Sequence, residues 1–104
     1  MRPLFVASAA LLIAAVVPQD PVRHSYVPPN GFVPDSLTAV RIAVAVWGPI
    51  YGDRQIASEH PLRASLRDST WTVMGSLAPG EIGGVAIAEI AKRDGRVLRV
   101  SHSQ

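Results

Sequence analysis

The chain contains no cysteine. That excludes disulfide cross-links, a lipid attached at a processed cysteine, and every zinc pattern built on thiolates. The three histidines, His24, His60 and His102, follow no zinc spacing either. The longest uncharged apolar run, Leu4 to Val17, has fourteen residues, against the roughly 20 that a membrane-spanning helix needs. The formal charge is +2 with no clustered basic stripe, so nucleic acid is not an expected partner. There is no Gly-x-Ser-x-Gly elbow. Pro79-Gly80-Glu81-Ile82-Gly83-Gly84 lacks both the spacing and the lysine of a phosphate loop. No repeat and no low-complexity tract is present.

What is there begins with Met1-Arg2-Pro3 and the apolar run behind it. A positive start, an apolar core of that length and a polar, proline-rich stretch occur in the order of a secretory signal. Residues 1–17 are therefore read as a signal peptide or N-terminal hydrophobic segment. An exported, periplasmic protein with no stable membrane anchor after cleavage is the expectation. Loss of Arg2 leaves nine Lys and Arg against eight Asp and Glu. Pro18 to Pro34 holds five of the nine prolines, so it forms neither a regular helix nor a central strand. Residues 18–30 read as a Pro-rich linker and 31–104 as the working domain. That domain is small and must rely on packing alone.

Asp35 and Ser36 after Pro34 are helix-start residues. Val40, Ala43, Val44, Trp47, Ile50 and Tyr51 follow three-and-four spacing, which predicts a helix from Ser36 to about Val46 with Gly48-Pro49 disturbing its end. One further helical turn is expected between Arg54 and Glu59. After His60 the period changes to two. Leu62, Ala64 and Leu66 face inward on a first strand, and Trp71, Val73 and Gly75 on a second. Val85 to Ala91 makes a third strand. Arg96 to His102 makes a fourth, with Leu98 and Val100 inward. Asp68-Ser69 and Asp94-Gly95 are turns. The fold class is α+β: one N-terminal helix packed on a curved four-stranded antiparallel meander, because neither element can bury its apolar side alone.

Trp47, Tyr51 and Trp71 either line a pocket between helix and sheet or fill the core of a small domain. Glu89 is placed on the solvated face, opposite Arg99 or Arg63. No carboxylate pair for acid–base work is visible. No catalytic residue, metal ligand or cofactor site is read from the chain. His102 shares the parity of Leu98 and Val100, which favours a half-buried, hydrogen-bonded role. Arg93, Arg96 and Arg99, with Lys92, form the densest basic cluster, which either meets an acidic partner surface or is a solvated hairpin tip.

Five stretches in order carry a resemblance: Gly31-Phe32-Val33-Pro34-Asp35, Ala43-Val44-Ala45-Val46-Trp47-Gly48-Pro49-Ile50-Tyr51-Gly52, Trp71-Thr72-Val73-Met74-Gly75-Ser76-Leu77, Gly83-Gly84-Val85-Ala86 and Lys92-Arg93-Asp94-Gly95-Arg96-Val97-Leu98, followed by Val100-Ser101-His102. Over Gly31 to His102 the chain resembles the NTF2-fold immunity proteins of bacterial toxin systems. The resemblance implies a short NTF2-like, cystatin-like cone and a non-enzymatic protein whose partner is a cognate toxin. Ile87 stands where that family pattern leads one to expect a polar residue on the outer side of the strand, which makes it a candidate partner contact. Ser103-Gln104 replaces a glycine-lysine ending. A small NTF2-like ligand binder or enzyme, using Tyr51, Trp71 and Glu89 at the mouth of the cone, is the alternative. A cystatin-like protease inhibitor ranks last, since no Gln-Val-Gly wedge is present.

Overall fold

The computed structural model describes residues 25–103. The run read as an export signal lies outside them, as does the first part of the Pro-rich segment. The described residues form α1 (Ser36–Tyr51), α2 (Asp53–Ala57), β1 (Arg63–Arg67), β2 (Thr70–Met74), β3 (Ala86–Ala91) and β4 (Val97–His102). The strands pair in the order β1-β2-β3-β4, all antiparallel. The helix-then-meander expectation is met, and the sheet does not close on itself.

Asp35 starts α1. Its carboxylate accepts from the Thr38 amide at 2.8 Å and the Thr38 hydroxyl at 2.6 Å. The cap therefore satisfies one amide of the first turn, which has no partner within the helix. These bonds also hold the Asp35 pKa below its ordinary value. The helix runs five residues past the expected end and carries Pro49 within it. The bond that Pro49 cannot make would go to the carbonyl of Ala45, a residue on the exposed side of the helix. The Gly52 amide then closes the last turn on the Gly48 carbonyl at 2.8 Å.

The buried line of α1 is Ala39, Ala43 and Trp47, at spacing four. Val40, Ile42 and Tyr51 flank it, while Val44 and Ile50 of the expected stripe face solvent. The helix lies over β1, β2 and β3. The inner face of the sheet offers Trp71 and Val73 from β2 and Ala86, Ala88 and Ile90 from β3. Alanines on both layers let the backbones come close, and the two tryptophans supply the volume. A buried tryptophan removes roughly 200 Å² from water, worth about 5 kcal/mol each.

On β4 the alternation fails at one point. Glu89 pairs with Arg99 but Ile90 pairs with Val97, so Leu98 is the extra residue of a bulge. Val100 keeps its inward place, whereas Leu98, expected inward, is 43% exposed. On β1, Leu66 pairs with Trp71 at the sheet edge and stays 45% exposed.

Val33, before the helix, is fully buried, and its carbonyl accepts from Trp71 Nε1 at 2.8 Å. Trp71→Phe keeps an aromatic ring but leaves that carbonyl without its donor. A loss of about 1–2 kcal/mol in a urea unfolding series is expected. At the β1–β2 turn, Asp68 and Ser69 both have positive φ, 49° and 65°. Ser69→Gly removes strain that glycine does not feel, and is expected to raise stability by about 1 kcal/mol in the same assay.

Candidate functional site

The meander gives the molecule two ends. At one, the β1–β2 and β3–β4 turns meet the segment before α1. At the other, α2 and the β2–β3 connection meet the last residues of β4.

At the second end sits Glu59, 2% exposed and the one buried charged residue among those described. The turn after α2 aims its side chain inward. Oε1 accepts from the Ala86 amide at 2.7 Å, and Oε2 from Gln55 Nε2 at 2.9 Å. His102 Nε2 lies 3.4 Å from Oε2, and the His102 ring tilts against Tyr51 with centroids 5.2 Å apart. The Glu59 carbonyl accepts from the Ser76 amide at 2.7 Å. Burial pushes the Glu59 pKa up. The Ala86 amide, Gln55 and His102 together outweigh it and hold the group below the ordinary glutamate value. Donors meet both carboxylate oxygens, so the group holds structure together. The sequence marked Glu59 only as the end of a helical turn. The one local signal was Gln55 four residues earlier on the same helical face.

The aromatic candidates are placed as follows. Trp47 is fully buried, with Nε1 3.4 Å from the Ile87 carbonyl, and Trp71 is buried with its bond to Val33. Tyr51 is half-buried against His102. The space between helix and sheet is thus taken up by indole rings. Among the described residues, no three His, Asp or Glu side chains gather as a metal site requires.

The candidate partner contacts divide between two surfaces. Ile87 and Arg99 stand on the outer face of the sheet, away from α1. There Met74 pairs with Ile87, and Thr72 and Arg99 both pair with Glu89. Arg99 Nη1 donates to Glu89 Oε2 at 2.7 Å, one of the two cross-strand partners expected for it. Arg63, paired with Met74 at the edge, shares this face. Arg93 and Arg96 lie instead at the β3–β4 turn, exposed, where the Arg96 amide donates to Asp94 Oδ1 at 3.0 Å. The basic cluster of the sequence is therefore two groups, one offset by Glu89 and one not. The β2–β3 connection adds Ile82, 98% exposed, at the opposite end.

The contribution of Glu59 to stability is complete above its unfolded pKa, about 4.3. It is lost as pH falls through the lower folded value. Urea midpoints measured against pH are expected to drop in that acid range, and Glu59→Gln is expected to flatten the drop. Glu59→Ala leaves the Ala86 amide buried without an acceptor, which costs about 2–3 kcal/mol at neutral pH.

No helix among the described residues is long and apolar enough to cross a membrane. No curated protein and no solved structure matches the chain. A family model described as NTF2 fold immunity protein matches residues 38–104, from the first turn of α1 through all four strands. With the helix and antiparallel meander in the order that fold requires, the chain belongs to the NTF2 fold immunity protein family.

Proposed function

We propose that this protein neutralises a cognate bacterial toxin by binding it and occluding its active region, without chemistry of its own. Membership of the immunity family supports the reading. The observation that carries it is the filled interior: Trp47 and Trp71 occupy the space that a ligand-binding cone would leave open. The one buried carboxylate is engaged by Ala86, Gln55 and His102. What remains for recognition is the exterior, namely the outer sheet face around Ile87 and Arg99 and the turn end around Arg93 and Arg96. A positive start, an apolar run and a proline-rich stretch in that order support export to the periplasm as part of the proposal.

Co-expression with a candidate toxin from a neighbouring gene tests the proposal. The expected outcome is capture of the toxin by the tagged protein and survival of cells that die without it. Equal killing in both strains, with no toxin retained, overturns the reading. Cell fractionation is expected to find the protein in the periplasm, shortened by the apolar segment.

A further inference from the structure

At the turn end, three pieces of chain distant in sequence enclose an open cavity of about 260 Å³. Its walls include Pro28, Pro29, Gly31, Ser69, Lys92 and Arg93. Main-chain bonds hold these pieces in place. Phe32 and Val33 donate to the carbonyls of Arg93 and Lys92 at 2.9 and 3.0 Å, and the Lys92 amide donates to the Ser69 carbonyl at 2.9 Å. The Gly31 amide closes the Pro28–Gly31 turn at 2.9 Å. Gly31 has φ +82°, and any side chain there would run into the Lys92 carbonyl. The cavity is therefore set before any ligand arrives, which lowers the ordering cost of binding.

Its chemistry is one-sided. Lys92 Nζ reaches the Asn30 carbonyl with one of its three N–H bonds. Arg93 is exposed, and among the described residues neither cation pairs with a carboxylate. Ser69, a residue with a hydroxyl donor, also lines the wall. Among the described residues, no acidic side chain lines the cavity. Of the two nearest in sequence, Asp94 is turned to the Arg96 amide of its own loop and Asp68 lies in the β1–β2 turn. Beside the donors, Val27, Pro28 and Pro29 give an apolar ledge.

We propose that this cavity receives a carboxylate side chain from an extended acidic segment of the partner protein, its methylenes lying on the proline ledge. The proposal rests on the toxin-binding reading and names the surface and the partner chemistry it uses. A free inorganic anion would use the donors but leave the ledge unused.

The test is a titration of the ¹⁵N-labelled protein with a blocked octapeptide alternating glutamate and alanine, followed by amide shifts. Saturable shifts at Gly31, Ser69, Lys92 and Arg93 are expected. They weaken as salt is raised, and Arg93→Glu lowers the affinity at least about tenfold. Arg93 uses only its main-chain carbonyl to hold Phe32, so this variant keeps the cavity wall, and a matching thermal midpoint verifies it. The lysine–alanine peptide is expected to shift none of these amides. Three results overturn the proposal: no saturable shift, an affinity unchanged by Arg93→Glu, or the same shifts from inorganic phosphate alone. Toxin capture separates the two claims. If Arg93→Glu captures toxin as tightly as the unsubstituted protein, the cavity is not the contact and the immunity reading stands. If the unsubstituted protein captures none, the immunity reading fails and the peptide titration still decides whether the cavity takes carboxylates.

Discussion

A carboxylate removed from water has to be surrounded by donors, and the far end of this molecule is organised around that requirement. An ionised group in a protein interior costs several kcal/mol unless hydrogen bonds and charge replace its hydration. Glu59 meets the demand with donors from three elements: the first amide of β3, the Gln55 side chain on α2, and His102 at the end of β4. Its own carbonyl takes the amide of Ser76 just past β2. One residue thus fixes where α2 sits, where β3 begins and where β4 stops. Gly75 is part of the same constraint, since a side chain there would occupy the position of the Glu59 carboxylate.

The other constraint is volume. Half of the buried residues on the facing layers of helix and sheet are alanine, and the two tryptophans, with Ile90 and Val73, fill what alanine leaves. Each indole also finds a carbonyl, Trp71 the better one, which keeps the buried N–H groups from standing unpaired. A domain of this size that spends its large side chains on filling its own interior has little left to shape an internal pocket. On the proposed reading, recognition falls to the surface. The surface here is divided into an outer sheet face where Arg99 is matched by Glu89, and a turn end whose cations form no ion pair among the described residues.

Features that depend on a few neighbouring residues were legible before the structure. Asp35 as the helix start, the Asp68-Ser69 and Asp94-Gly95 turns, and the period-two faces of β2 all follow from local backbone preferences and side-chain alternation. The partner of Glu89 was legible only as Arg99 or Arg63, because the bulge at Leu98 shifts the register that the turn sets and brings Arg99 opposite it. The end of α1 was not. Proline signals a break, yet Ala45, whose carbonyl loses its bond, lies on the exposed side and the helix continues. Leu98 had inward parity until a bulge moved it out, and a bulge leaves no mark in alternation when both Val97 and Leu98 are apolar.

By itself, then, the chain determined its α+β class, the order of helix and meander, and the positions of its turns, because these follow from hydrophobic period and turn chemistry within a dozen residues. Only the tertiary structure decided that Glu59 is buried, that the basic cluster separates into two surfaces, and that the Pro28–Gly31 turn lies against Lys92 and Arg93 to enclose a cavity. These depend on contacts between residues 27 to more than 60 positions apart. No local pattern encodes such contacts, since what selects them is the packing of elements already formed.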